Sequence, residues 1–460
     1  MKNTKWLRRI GGSLLGGMMA MSSVSMQMVL PVSAEEANSD SNQMVSEPEV
    51  VPVSVIDSDK RTVNLNANWK FTLSDPANAQ NSSFDDSKWD SVNLPHDYSI
   101  DQDYTPAGEA ESGYKLGGVG WYRKVFTVAP DFNKRMVVEF NGVYMDCEVY
   151  INGHKLGGHP YGYTGFAFDL TDYLNKDGEN VLAVRVNHQT PSSRWYSGSG
   201  IYRDVTLTIT DDVHVGYDGI AVTTPNLETE KGGNVTTHAA ADIVNDSSAS
   251  KTITVKQTVL DGSGNAVGTA SKDVTLTAGE KQNVALDVMV NNPTLWKTNL
   301  AKDEHAALYT LKTEVVESGK TVDTTETTFG YRYYSYDKDT GFSLNGEKMK
   351  FKGVCMHHDQ GSLGSAAEKR AIERQVQILK EMGANAIRVT HNPADPYLLE
   401  VCSREGIMVI NELFDGWIGA KNGNYNDYAR FFEQTVDADN EILNKEEDDK
   451  WFEFDTRAAV

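Results

Sequence analysis

Residues 385–414 read NAIRVTHNPADPYLLEVCSREGIMVINELF, and the way apolar runs alternate with turn and cap residues here decides the fold of the chain's last quarter. The runs AIRV and IMVI are short and rich in β-branched residues, as strands are. Between them, Asp395 and Pro396 have the chemistry of a helix N-cap and first helical position for PYLLEVCSREG, and Gly406 supplies the stop. Just upstream, AEKRAIERQVQILKEMG (367–383) places Ile372, Val376, Leu379 and Met382 on one helical face and ends at Gly383. Before that helix, KMKFKGVCM (348–356) reads as a further strand. Strand, helix, strand, helix, strand with short connections is the start of a parallel α/β unit, either a (β/α)8 barrel or a doubly wound sheet. No GxGxxG follows the first strand, which removes support for the dinucleotide-binding form.

In a (β/α)8 barrel the working residues sit at the C-terminal strand ends. Here those ends carry His357-His358-Asp359, then Arg388 with His391-Asn392, then Asn411-Glu412 leading to Trp417. One such histidine would be an ordinary core residue. Three polar ends in register make a pocket for a polyol: imidazole, amide and guanidinium groups hydrogen-bond hydroxyls, and an indole offers an apolar face to a sugar ring.

Towards the N-terminus the pattern changes to that of all-β domains. From Thr62 to about Thr210 run short strands such as WYRKVFTV, RMVVEFNG, CEVYINGHKLGG and NVLAVRVNH, and Asn152-Gly153 is a two-residue hairpin turn. These features argue a β-sandwich, with aromatic-rich loops at LPHDYS (94–99), GGVGWYRK (117–124) and SRWYSGSGIYRDV (193–205). Loop aromatics of this kind are read first as corner packing. From Val213 to about Tyr334, Thr/Val-rich strands suit an immunoglobulin-like sandwich without clustered catalytic groups, a scaffold.

Composition narrows the function classes. With 65 acidic against 43 basic residues, a net charge of −22 repels phosphate backbones and anionic lipids, so no nucleic-acid partner is expected. Cys147, Cys355 and Cys402 are odd in number and lack CxxC spacing, which indicates buried free thiols rather than disulfides or a zinc site. Lys2, Lys5, Arg8 and Arg9 precede an uncharged stretch ending near Val32-Ser33-Ala34, the pattern of a cleaved signal peptide, which places the protein outside the cell or at its surface. A membrane role is expected only through export or a surface anchor.

The succession of GVGWYRK and SGSGIYRDV, then LNGEKMKFKGVCMHHDQGSLG, then NAIRVTHNPADPYLLEVCSREGIMVINELFDGW resembles the glycoside hydrolase family 2 enzymes, bacterial β-galactosidases in particular, over about residues 61–435. Val389 and Asn392 depart from the family's more usual residues beside the histidine. The resemblance implies a multidomain β plus α/β protein. The expected division is a signal peptide at 1–34 and a flexible spacer at 35–60, both read from composition, then, as the resemblance implies, a jelly-roll-like sugar-binding sandwich at 61–211, an immunoglobulin-like sandwich at 212–335 and the first part of a (β/α)8 TIM barrel at 336–460.

It also implies retaining hydrolysis of terminal β-galactosides by two glutamates about 5 to 5.5 Å apart. Both are expected beyond Val460, since Gly341 to Val460 holds three barrel strands, whereas a complete barrel has eight in roughly 250 residues. The chain by itself is therefore expected to be inactive, and KWFEFDTRAAV, with Trp451, Phe454 and Ala458 at helical spacing, reads as a helix that stops without a cap.

Carried over one by one, His357 and His391 match sugar-contacting histidines and Arg388 a pocket arginine. Glu412 orients neighbouring groups, and Asn411 and Trp417 join the substrate-binding set. No metal site is carried over, because Asp415, Gly416 and Trp417 stand where an acid and a histidine would be needed; no cofactor is called, and oligomeric state is left open. VDADNEILNKEEDDK (436–450) is read as a solvated acidic insertion. β-Glucuronidase and β-mannosidase are the alternatives within the family, and a carbohydrate-binding or adhesion protein the alternative outside it.

Overall fold

The computed structural model describes residues 55–56 and 59–459. The expected signal peptide (1–34), and the expected spacer up to residue 54, lie outside them. Among the described residues no helix is long and apolar enough to cross a membrane.

The first domain is a sandwich of two mainly antiparallel sheets. One holds, in order, Asp90–Val92, Trp69–Thr72, Gly118–Val128, Glu179–His188, Cys147–Ile151 and His154–His159; the other holds Thr62–Asn64, Val205–Thr210, Arg135–Phe140 and Phe166–Asp169. Alternation in RMVVEF and CEVYI puts every second side chain inside, where Trp69, Tyr122, Phe140, Phe166 and Leu182 form the core. Asn152 and Gly153 both take positive φ (52° and 86°), the backbone of the expected tight turn. The spacer reading fails at its end: Val55–Ile56 pairs in parallel with Gly118–Val128, and Ile56 is fully buried. Two β-branched residues have a ready strand edge there, and hydrophobic burial outweighs the polar composition around them.

The second domain packs Val213–Thr223, Asn234–Asn245 and Lys281–Asn291 against Ala266–Leu276, Lys251–Leu260, Tyr309–Glu317 and Lys320–Phe329. Seven strands in two sheets around Val255, Ile243, Val284 and Val315 make the immunoglobulin-like sandwich. Arg61 of the first domain reaches Asp323 of the second at 2.8 Å.

Next comes a parallel sheet, Gly353–Met356, Ala386–Val389 and Met408–Asn411, with helices Lys369–Glu381 and Pro396–Glu405 on one face. Asp395 caps the second helix by accepting from Tyr397 N, and Gly406 ends it at φ 71°. Three readings need correction. The strand at 348–356 is shorter, because a turn at Asn345-Gly346 (φ 54° and 84°) folds Glu347–Lys348 back onto Gly341–Leu344. Met382 follows the helix end and is 71% exposed, off the buried face of Ile372, Val376 and Leu379. Cys355, unlike Cys147 and Cys402, is exposed, because it lies in register with Arg388 and Ile410 on the sheet face opposite the helices.

Beyond the third strand, the chain returns to the first sandwich. Phe414, Tyr428, Phe432, Val436, Ile442, Trp451 and Phe454 join the same apolar core as Tyr161, Phe166 and Phe168. The acidic run is therefore not simply solvated. Ile442 is 2% exposed and bridges Phe168, while Glu441 N and Leu443 N donate to Leu156 O and Ala167 O at 2.7 and 3.0 Å. The expected terminal helix exists at Trp451–Ala458, with Trp451 and Phe454 buried but Ala458 exposed. Its Asp455 is buried against His159 at 2.8 Å and also accepts from Tyr428.

Candidate active site

The three parallel strands end at one rim, and the sequence places a hydrogen-bonding residue at each end. Thr390 continues the pairing one step past the second strand: its N and Oγ1 both donate to Met356 O at 2.9 Å. The next residue, His391, has φ 107°, a backbone conformation that non-glycine residues rarely adopt. Its ring comes to Glu412 at the end of the third strand, Nδ1 to Oε2 3.2 Å. Arg388 donates Nε to Glu412 Oε1 at 2.6 Å, so both carboxylate oxygens are engaged. The side chains of Arg388, His391 and Glu412 remain 41%, 28% and 25% exposed. Ion pairs this open contribute little stability. Their effect is to orient the groups.

His357 completes the cluster, with its ring 5.7 Å from that of His391. Partial burial, aided by the neighbouring His391, holds the His357 imidazole below its usual range, so it is neutral at neutral pH and can both donate and accept. Its face is covered by Trp195, which belongs to the sandwich loop SRWYSGSGIYRDV: the rings are 4.8 Å apart and 19° from parallel. Trp195 also lies 5.4 Å from His391 and donates Nε1 to Tyr163 OH at 3.1 Å. A cavity of about 30 Å³ lies beneath, lined in part by Tyr163, Trp195, His391, Phe414 and Asp415. That is room for water.

The loop carrying Trp195 is fastened to the barrel twice. Arg194 grips Asp415 with Nε to Oδ2 at 2.8 Å and Nη2 to Oδ1 at 2.5 Å, while Lys421 holds Oδ1 at 3.1 Å. Burial pushes the Asp415 carboxyl up, but the bonds from Arg194 and Lys421 outweigh this and hold it below the usual carboxylate range. Deeper down, Asp97 is 1% exposed; Oδ1 accepts from Ser99 N, Ser99 Oγ and Ser199 N, and Oδ2 from Tyr196 OH, Ser365 N and Ser365 Oγ. It thus ties the sandwich loop to the segment that follows the first parallel strand. His358, beside His357, is half-buried with Nε2 donating to Ser197 O at 3.0 Å, and removal from water lowers its pKa to about 4.

Of the residues singled out from sequence, the structure brings together His357, Arg388, His391 and Glu412. Asn411 is used otherwise: its Oδ1 accepts from Ala394 N at 2.9 Å and braces the loop after the second strand. Trp417 packs edge-on against Phe414 and Phe452, apart from the histidines, because the chain is already turning back to the sandwich. The indole at the cluster is Trp195. Its loop was legible as aromatic, but strand periodicity gives no sign of which tryptophan crosses to the barrel. Among the described residues no group of three or more His, Cys, Asp or Glu side chains could hold a metal ion.

Comparison with known proteins accounts for this assembly. The sugar binding domain of glycosyl hydrolases family 2 matches residues 62–211, the model named simply glycosyl hydrolases family 2 matches 218–332, and the family's TIM barrel domain matches 337–445. The β-galactosidase BoGH2A of Bacteroides ovatus is 43% identical over 83% of this chain and 44% of its own length. A β-glucuronidase of Bacteroides fragilis is 30% identical over 81% of this chain and 52% of its own. The crystal structure of a family 2 member from Bacteroides cellulosilyticus superposes with a TM-score of 0.76 at 35% identity, covering 82% of this chain and 48% of that one. The chain spans about half the length, or less, of the curated relatives it matches. Two sandwiches followed by barrel strands, matched in order by three models of one family, place the chain in glycosyl hydrolases family 2.

Proposed function

We propose that this chain serves a retaining β-glycosidase that acts on terminal β-galactosides outside the cell, and that the cluster at the strand ends holds the non-reducing sugar. The observation that carries this is the meeting of His357, Arg388, His391 and Glu412 beneath the indole of Trp195. The His357 imidazole can donate to or accept from a sugar hydroxyl, Nε2 of His391 is left for a second hydroxyl, and Trp195 gives an apolar face. Glu412 acts as a positioning residue: both of its oxygens are committed to Arg388 and His391, which leaves it poorly placed to attack an anomeric carbon.

The galactoside preference is supported by the relative BoGH2A, and β-glucuronidases among the relatives make glucuronides the alternative. Neither Arg194, next in sequence to Trp195, nor Arg388 favours an anionic sugar, because each is already paired with a carboxylate, Asp415 and Glu412. Calorimetric titration of the purified chain with methyl β-galactoside, methyl β-glucuronide and methyl β-mannoside tests the reading. The galactoside should bind most tightly; a clear preference for the glucuronide would replace it.

A further inference from the structure

Arg203 follows Trp195 in the loop SRWYSGSGIYRDV, and its side chain is 1% exposed. A buried guanidinium is costly unless acceptors surround it. Here they come from two domains. Nη1 donates to Tyr163 O at 2.8 Å and to Asn141 O at 3.3 Å, both in the sandwich. Nη2 donates to Pro393 O at 3.0 Å, and Nε lies 3.3 Å from Asp395 Oδ2, both in the segment of parallel strands. The stem is held as closely: a Cβ added to Gly142 would stand 2.8 Å from Arg203 Cδ.

The two sets of acceptors lead to the two halves of the candidate site. Tyr163 carries the hydroxyl that accepts from Trp195 Nε1 at 3.1 Å. Pro393 and Asp395 belong to the loop that begins with His391 at φ 107°, a conformation that persists only where the surrounding structure over-determines it. From within the sheet, this loop is held at Thr390 by Met356 O and at Ala394 by Asn411 Oδ1. Arg203 adds the restraint from outside the sheet. It takes Pro393 O, and it pairs with Asp395, whose carboxylate also caps the following helix through Tyr397 N. One planar group thus fixes both the residue that holds the indole and the loop that carries the imidazole.

We infer that Arg203 is a positioning residue of the sugar site: by joining Tyr163 to Pro393 and Asp395 across the domain junction, it sets the placement of His391 against Trp195 and thereby the affinity for the sugar. Its effect on affinity rests on the glycoside reading above, and its effect on His391 on the geometry alone. Buried as it is, Arg203 does not reach the sugar itself. A lysine in its place keeps a charge beside Asp395, but an ammonium on a flexible stem cannot reproduce the planar fork that serves acceptors on two domains.

The test compares the full chain with Arg203→Lys by two readouts, the side-chain NMR signals of His391 and His238 without ligand, and calorimetric titration with methyl β-galactoside. In the variant the His391 signals should move from their wild-type positions while those of His238, in the second domain, stay, and the galactoside affinity should fall about tenfold. A residue that only stabilises the junction would lower the unfolding temperature and leave both readouts of the folded protein unchanged. Either readout unchanged in the folded variant overturns the inference. If Arg203→Lys does not fold, Asp395→Asn takes its place, since the amide oxygen keeps the cap on Tyr397 N and only the charge opposite Arg203 is withdrawn. Unmoved His391 signals there overturn the inference equally. Failure of the wild type to bind galactoside overturns the glycoside reading instead, and the His391 signals, which need no ligand, still decide whether Arg203 places that residue.

Discussion

Trp195 of the first sandwich lies flat on His357 of the parallel sheet, ring centroids 4.8 Å apart. The candidate site is thus shared between two domains that are distant in sequence, and neither supplies it alone. Replacing Trp195 by Ala should weaken sugar binding by about 1 kcal/mol or more, by loss of the apolar face, while His357 and His391 remain to hold hydroxyls. Titration with methyl β-galactoside checks this; unchanged affinity would make Trp195 a domain staple only.

The junction also depends on Asp97. Its carboxylate accepts from the backbone N–H groups of Ser99, Ser199 and Ser365 in a buried site, so Asp97→Ala leaves those donors without a partner. A loss of about 3 kcal/mol or more in urea unfolding is expected, larger than for any single exposed ion pair of the rim. A loss below about 1 kcal/mol would mean that water replaces the carboxylate without strain.

The fold back onto the sandwich gives a third prediction. Trp451 and Phe454 are 7% and 4% exposed in the core shared with Phe166 and Phe168. Phe454→Ala should cost about 3 to 5 kcal/mol. Limited proteolysis of that variant should cut between residues 435 and 459 before the sandwiches are touched. Cleavage at the wild-type rate would show that this helix adds nothing to the stability of the segment.

Acid, and not neutral pH, should loosen the protein at two of its histidines. His188 is buried and His358 half-buried, and desolvation lowers each pKa from 6.5 to about 4. Between those values the unfolded chain binds protons that the folded chain refuses, so stability is full above about pH 6.5 and falls as pH drops towards 4. The loss is on the order of 3 kcal/mol for each histidine across that window. His358→Gln should show a shallower decline of unfolding temperature from pH 7 to 4.5 than the wild type, and parallel curves would contradict the assignment.

How much of this was legible beforehand varies by element. Asp395, Pro396 and Gly406 fixed one helix at both ends because caps and stops are local chemistry, and Asn152-Gly153 fixed a hairpin for the same reason. Arg388, His391 and Glu412 could be placed at one rim with His357 by barrel geometry alone, because the strand ends are in register. Trp195, Arg194 and Asp97 could not, since they act across a domain junction that no periodicity encodes. The packing of Trp417 was not legible for a related reason: the chain after Glu412 leaves the sheet, and Phe414 in the sandwich core takes the neighbouring indole as its edge-on partner.

The central claim is that His357 and His391 face a bound sugar, and nitrogen-resolved NMR of the histidine side chains tests it most directly. The chain has ten histidines, and the signals of His357 and His391 can be assigned from the variants His357→Phe and His391→Asn. On titration with methyl β-galactoside these two sets of signals should move together and saturate, while those of His188, buried in the sandwich, and His238, paired with Asp287 in the second domain, stay in place. Movement of no histidine signal, or equal movement of His238, would contradict the assignment of the site.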